Sequence, residues 1–307
     1  MNSYISESIE NLTVDISCRF HHPLLEDLHC ELVSQNLNLK NEHLNRLSFY
    51  RCPQLHIQGI KCILKRIFQL NKEKQLELEI SSVELRDDGL NVLVDVLFQQ
   101  DEGELKRERQ LTISSLELED IGYVLPNTWQ RFLPMALDNA STLVTLDLTH
   151  NNLKFDSVQT IARLLETNTS LKNLILSENP LIGDRGSSAL STSLRKNASL
   201  KVLSLAVCNV TNQGMDALYN CVHSFNTRLS RVYLFGNPYN DGSEHRKRLD
   251  YWLELNAAGR GTMRSSETCA AVIPHFLSRA SSSNQERPDM VYGLLRQLPH
   301  SWIPDSR

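Results

Sequence analysis

The sequence predicts an α/β solenoid, with parallel strands along one face and helices along the other. Two observations carry this prediction. One phrase returns four times between Leu143 and Asn237, as TLVTLDLTHNNL, SLKNLILSENPL, SLKVLSLAVCNV and RLSRVYLFGNPY. Its first periodic apolar residues are Leu143, Leu171, Leu200 and Leu229, so the steps are 28, 29 and 29 residues. Between phrases, apolar residues fall at i, i+3 and i+4, which is the spacing of a helix face. A unit that small cannot bury its apolar side alone and must stack on its neighbours.

The phrase reads L-x-x-L-x-L-x-x-N/C-x-L, the leucine-rich repeat. Its strand residues are Leu146 and Leu148, Leu174 and Leu176, Leu203 and Leu205, Val232 and Leu234. Weaker copies upstream are Leu111 with Ile113, Leu78 with Ile80, Leu47 with Phe49, and Val14 with Ile16, at steps of 33, 31, 33 and 35 residues before the regular ones begin. Eight units result, seven if the first is discounted. The Asn/Cys position is then Cys52, Val83, Leu116, Asn151, Asn179, Cys208 and Asn237. An inward-facing Asn there can pair backbone groups that no strand satisfies, whereas Val83 and Leu116 cannot.

Each strand is followed by a helix with its own signature. Gly59, Gly89, Gly186 and Gly214 precede the apolar pairs Cys62–Ile63, Val92–Leu93, Ala189–Leu190 and Ala217–Leu218. A missing side chain there is expected to let the helix approach the strand layer. Leu97, Leu194 and Val222 continue the stripe, and Cys62 and Cys221 are core residues. After Ile113 the pattern changes, because Pro126 is followed by TWQRFLPMAL, which contains Pro134. Two prolines at this spacing argue against one straight helix. The expectation is a short turn, then a helix near Asn127–Asp138, with this longest unit bulging from the convex face.

The repeats are assigned to residues 1–240, and residues 241–307 to a C-terminal cap and tail. DGSEHRKRLDYWLEL reads as a helix opened by Asp241 or Ser243, with Leu249, Trp252 and Leu253 on one face to cover the last apolar layer. Residues 257–268 read as a loop. Two short helices, Cys269–Arg279 and Asp289–Leu298, follow around the solvated spacer SSSNQER.

Composition narrows the function. The net charge of −4, from 32 basic and 36 acidic side chains, gives no bulk attraction to nucleic acid or anionic lipid. MNSYISESIE has neither a basic start nor an apolar run, so no signal peptide is expected. No apolar run is long enough for a membrane span. Seven cysteines without a C-x-x-C suggest neither a disulfide framework nor a zinc knuckle. The N-x-S/T triplets at Asn139, Asn168 and Asn197 read as polar turns before strands. An intracellular, cytoplasmic location is expected.

Motifs that carry chemistry are missing from the chain. It has no phosphate-cradling G-x-x-x-x-G-K-[ST], no G-x-G-x-x-G, no H-E-x-x-H and no G-x-S-x-G. His21–His22 reads as a solvated turn, Lys106–Arg109 as a mixed-charge loop, and Asp87–Asp88 as acids that suit a helix N-terminus. No cofactor, metal site, catalytic residue or small-molecule substrate is expected.

LIGDRGSSALSTSLRKNASLKVLSL (181–205) and NVTNQGMDALYNCVHSFNTRLSRVYLFGNP (209–238) resemble the ribonuclease-inhibitor-like subfamily of leucine-rich repeat proteins, through the G-x-x-A-L helix start and the polar turn before the next leucine. The resemblance is strong over 143–238 and looser over 44–142. It implies a right-handed horseshoe, strands inside and helices outside, that binds proteins on its concave face without catalytic groups.

Strand side chains alternate, so the non-core residues should line that face. One column is Ser48, Glu79, Thr112, Asp147, Ile175, Ser204, Tyr233, and its neighbour is Arg46, Glu77, Gln110, Thr145, Asn173, Val202, Arg231. The turn column is Arg51, Ser82, Ser115, His150, Glu178, Val207, Gly236. The candidate partner-binding residues are Asp147, His150, Ile175, Glu178, Val202, Val207, Arg231, Tyr233 and Phe235. Of these, Ile175, Val202, Val207, Tyr233 and Phe235 form an expected apolar strip, which either meets a partner or lies under the tail. Ser204 is expected to be open.

The leading function is a protein-recognition scaffold, with no nucleic-acid or membrane partner. A second reading is an adaptor whose terminal helices recruit another complex such as a ubiquitin ligase, although no definite box consensus is met. A third follows only from the resemblance, since relatives with this repeat type include Ran GTPase-activating proteins. No catalytic residue can be chosen for that activity.

Overall fold

A computed structural model describes residues 17–20, 46–52, 55–70, 75–98, 112–138, 142–239 and 244–263. Eight strands form one parallel sheet in sequential order: β1 (Ser17–Phe20), β2 (Arg46–Tyr50), β3 (Gln75–Ser81), β4 (Thr112–Glu119), β5 (Thr145–Asp147), β6 (Asn173–Ile175), β7 (Val202–Ser204) and β8 (Arg231–Tyr233). The helices between them are α1 (Ile57–Leu70), α2 (Arg86–Leu97), α3 (Pro126–Leu137), α4 (Phe155–Leu165), α5 (Gly183–Leu194) and α6 (Asn212–Ser224), followed by α7 (Glu244–Ala257) and α8 (Arg260–Met263). Adjacent strands lie about 4.8 Å apart and packed helices 8–10 Å apart, so the stack curves with the strands inside. This is a leucine-rich repeat solenoid. Its core is one continuous cluster running from Leu47 to Leu253.

Register corrects the sequence reading at two strands. Leu78 pairs with Leu116 and Ile80 with Leu118, so the fourth unit is set by Leu116 and Leu118, not by Leu111 and Ile113. A bulge at Ser114 supplies the last residue of this offset and brings the leucines opposite one another: Leu76 pairs with Ile113, and the next pair is Glu77 with Ser115. The steps are therefore 38 residues from Leu78 to Leu116 and 30 from Leu116 to Leu146. The extra length lies between α2 and β4, not after Ile113. In β1 the residues in register are Cys18 and Phe20, opposite Leu47 and Phe49, instead of the expected Val14 and Ile16.

Further corrections concern the helices and the end of the stack. Pro126 and Pro134 sit in a single helix, α3. Pro126 occupies its first turn, where the missing N–H has no partner to lose. Gly89 and Gly186 make room for the residue four positions earlier at the helix entrance, and Gly214 first for Asp184 of the preceding helix: a Cβ on Gly89 would lie 2.8 Å from Leu85 Cβ. Asp87 and Asp88 lie within the first turn of α2. Asp87 Oδ1 accepts from the Leu125 N–H at 2.8 Å and the Thr128 hydroxyl at 2.6 Å, so it serves the start of the next helix, α3. Asp184 repeats the arrangement, accepting from the Thr211 N–H (2.7 Å), the Thr211 hydroxyl (2.6 Å) and the Gly214 N–H (3.0 Å) at the start of α6. In the segment expected to be a loop, residues 260–263 form α8.

Two asparagine ladders hold the regular half together. At the strand exit, Asn179 accepts from the Asn151 and Leu153 N–H groups at 3.0 and 2.9 Å and donates to the Leu148, Leu176 and Ser177 carbonyls at 3.0, 3.0 and 2.9 Å. Asn151 and Asn237 act alike, and Cys208 donates weakly to the Leu176 carbonyl at 3.0 Å. Ile121, not Leu116, fills this slot in the fourth unit and makes no such bonds. Before the strands, Asn168, Asn197 and Asn226 are buried and bridge successive units, for example Asn197 Nδ2 to the Leu165 and Asn168 carbonyls at 2.7 and 3.1 Å. Asn168 and Asn197 thus lie in the expected polar turns before the strands, with their side chains buried as interior rungs. Asn256 at the end of α7 supplies the last rung, donating to the Asn226 and Leu229 carbonyls at 2.9 and 2.8 Å.

α7 closes the described stack by imitating the next repeat. Leu249 and Leu253 are buried and Trp252 packs against the core, as its periodicity predicts. Arg260 lies buried beyond it, over the Trp252 ring and donating to the Val222 carbonyl at 2.8 Å. The pair His21–His22, the run Lys106–Arg109, the triplet at Asn139 and the two tail helices fall outside the described residues.

Candidate functional site

Three rows of side chains stand on the strand face. The first is Arg46, Glu77, Ser115, Thr145, Asn173, Val202, Arg231 and the second Ser48, Glu79, Glu117, Asp147, Ile175, Ser204, Tyr233. Beyond them, at the strand ends, come Tyr50, Ser81, Glu119, Thr149, Ser177, Ala206 and Phe235. Thr112 and Gln110 therefore give up their expected places to Glu117 and Ser115. Near-copies in the sequence, LEI at 78–80 and LEL at 116–118, signal this register, but the leucine spacing points to the earlier pair.

The shift makes the N-terminal half of the face strongly acidic. Glu77, Glu79 and Glu117 surround Arg46, with guanidinium-to-carboxylate distances of 3.4, 3.1 and 3.7 Å. Ser48 donates to Glu79 at 2.6 Å, Ser81 to Glu119 at 3.0 Å and Ser115 to Glu117 at 3.3 Å. Burial raises the Glu117 carboxyl above the usual range; Arg46 opposes this, and Glu79 and Asp147 add to it. Asp147 is raised too, chiefly by burial, although the Thr149 N–H (2.9 Å) and hydroxyl (2.6 Å) donate to it. Among the described side chains of this cluster, Glu79 and Asp147 thus act against the charge on Glu117, and Glu119 against that on Asp147.

The turn after each strand has a fixed backbone. Arg51, Ser82, Asp120, His150, Glu178, Val207 and Gly236 all have φ between 50° and 71°. Asp120 replaces Ser115 in this column. Each non-glycine N–H here reaches a carbonyl of the next unit, as His150 to Ser177 at 3.0 Å and Val207 to Phe235 at 3.0 Å, which extends the ladder past the strand. His150 and Glu178 are exposed at this rim.

The C-terminal half differs. Val207, Tyr233 and Phe235 are 40%, 44% and 65% exposed, and Arg231 is exposed beside them. Ile175 and Val202 are half-buried, and Ser204, expected to be open, is buried and shares a 2.8 Å hydrogen bond with Ser177. The expected strip of five apolar residues is thus a compact patch of three. Val207 sits over Gly236, where a Cβ would come within 2.8 Å of Val207 Cγ2. Burial pushes the Cys208 thiol up to about 11 and the Cys221 thiol up to about 12, which disfavours their thiolates. Among the described residues, no cluster of His, Cys, Asp or Glu has the makings of a metal site, and no helix is long and apolar enough to cross a membrane.

Fold and face together define a leucine-rich repeat solenoid that displays a polar-to-apolar strand face. The family description Leucine Rich repeat matches residues 139–162, 167–191 and 196–218, within the regular half. The chain is similar to Centrosomal protein of 78 kDa from Homo sapiens, 25% identical over 273 residues, which cover 81% of this chain and 37% of the relative. The Mus musculus protein of that name is 24% identical over 75% of this chain and 31% of its own length. The chain thus spans about a third of the length of these curated relatives. Among solved structures, Leiomodin-1 Actin-Binding Site 2 aligns at 17% identity with a TM-score of 0.40, covering 56% of this chain and 98% of that one.

Proposed function

We propose that this chain is a non-catalytic, intracellular recognition module that binds a protein partner on its concave strand face. The observation that carries the reading is the exposed Val207–Tyr233–Phe235 patch, beside which the face residues Ile175 and Val202 are half-buried. Exposed aromatics on a rigid scaffold supply contact area at little cost in ordering. Asp147, His150, Ile175, Glu178, Val202 and Arg231 complete the expected contact surface. The carboxylates around Arg46 disfavour nucleic-acid and anionic-lipid partners, whose phosphates they would repel. The 28- and 29-residue strand–helix units support the ribonuclease-inhibitor-like type, with residues 1–240 as the recognition unit and 241–307 as its cap and tail. The likeness to proteins named as centrosomal supports an intracellular setting and a role in a protein assembly.

The test is affinity capture from native lysate with wild type and with Tyr233→Ala/Phe235→Ala, read by mass spectrometry. Proteins lost selectively from the folded variant support the reading. An unchanged set of captured proteins refutes it.

A further inference from the structure

We propose that the occupant of the concave face is an amphipathic helix laid across the strands, with Lys or Arg residues over Glu117, Glu119 and Asp147 and an apolar anchor on Val207, Tyr233 and Phe235. The inference rests on the reading of that face as a protein-binding surface and adds the chemistry of the partner.

Charge complementarity decides one end. Glu77, Glu79, Glu117, Glu119 and Asp147 stand on the N-terminal strands with Arg46 and, in register with Ser48, Arg19, so among the described residues carboxylates outnumber arginines there and a basic side chain from outside meets complementary charge. The apolar patch decides the other end, and backbone strain marks it independently. Val207 is β-branched yet held at φ 53°. A β-branched residue is strained in that region, a strain that Gly avoids at Gly236 in the same column. Val207 is exposed there, with its N–H bonded to the Phe235 carbonyl at 3.0 Å.

The occupant's form follows from hydrogen bonding. Backbone groups of the inner strands already pair within the sheet, so the face offers side chains alone. An extended peptide crossing the strands would leave its own N–H and C=O groups without backbone partners, whereas a helix satisfies them internally. Spacing follows from the sheet. Asp147 on β5 is three strands from β8 and Glu117 on β4 is four, about 14–19 Å at 4.8 Å per strand. At 1.5 Å per residue the basic residues and the anchor lie about 9–13 residues apart on the helix.

The experiment places a photo-crosslinking phenylalanine analogue at Phe235 and, in a second preparation, at Glu119 of the full chain, and irradiates each in native lysate. The expected result is one partner segment trapped from both positions, with Lys or Arg about 9–13 residues from an apolar anchor. A labelled synthetic copy should be helical when bound. Its affinity should fall about tenfold with Glu117→Gln/Glu119→Gln at low salt, with the salt dependence largely lost. Tyr233→Ala/Phe235→Ala should weaken it about tenfold at every salt concentration. A trapped segment that lacks this arrangement, or that binds the charge-neutralised chain equally well, overturns the helix proposal and leaves the concave-face reading intact. Failure of both positions to trap any protein, with thermal unfolding unchanged, overturns both.

Discussion

The units from β5 to β8 and those from β2 to β4 share a fold but are held by different means. In the C-terminal half, Asn151, Asn179, Asn237 and the buried row Asn168, Asn197, Asn226, Asn256 tie each unit to the one before it. In the N-terminal half, the strand-exit slot holds Cys52, Val83 and Ile121, and the units meet through apolar packing and through side chains on the strand face. A ladder that bonds specific backbone groups tolerates one unit length. Packing alone tolerates several. This is why the steps are 28, 29 and 29 residues in one half and reach 38 in the other.

The sharpest way to break the comparison is at the ladder. Asn179→Ala strands two N–H groups and the carbonyls it serves, at about 1–3 kcal/mol for each unsatisfied group, and should destabilise the chain by about 3–5 kcal/mol. Val83→Ala, in the equivalent slot, removes only methyl groups and should cost about half as much. Equal losses in urea unfolding would mean that the ladder is not what distinguishes the halves. Leu174→Ala, fully buried between the layers, should cost about 2–5 kcal/mol in the same measurement.

Smaller effects sharpen the picture. Asp184→Ala removes the cap of α6 and should cost about 1–2 kcal/mol, with the loss of amide exchange protection concentrated at Thr211–Gly214. Ser204→Ala, on an open surface, would stay within about 0.5 kcal/mol. Because it is buried and bonded to Ser177, a cost nearer 1 kcal/mol is expected from thermal unfolding. The smallest effect is electrostatic. Burial raises Asp147 above its ordinary value of 3.8, so the folded chain holds that proton more tightly than the unfolded chain does. Its favourable contribution is full below pH 3.8 and is lost as pH rises through the raised value. Asp147→Asn should therefore gain stability relative to wild type at neutral pH, and the gain should shrink toward pH 4. A difference that grows on acidification would reverse the sign.

Much of this was legible in the residues. The repeat phrase predicts the strands from Leu146 to Leu234, the inward Asn and the face on which Tyr233 and Phe235 stand. Leu249, Trp252 and Leu253 predict the closing helix. Legibility failed where one leucine pair resembles another: Leu111–Ile113 and Leu116–Leu118 both fit the template, and only pairing against β3 chooses between them. That choice moved Glu117 and Glu119 onto the strand face and replaced Thr112 there. The turns before the strands were legible but the burial of their asparagines was not, because a polar residue beside Ser or Thr looks the same whether its partners are water or carbonyls of the preceding unit.

The sequence by itself determined the unit: strand, inward turn and helix follow from local spacing, because side-chain direction has a period of two on a strand and about 3.6 on a helix. It also determined that the units stack, since none can bury its apolar side alone. Only the tertiary structure decided how far each unit slides against the last, and with it which carboxylates gather around Arg46 and which aromatics stay exposed. Register is a relation between residues about thirty positions apart or more, and it is set by hydrogen bonds and a bulge that neither unit encodes without the other.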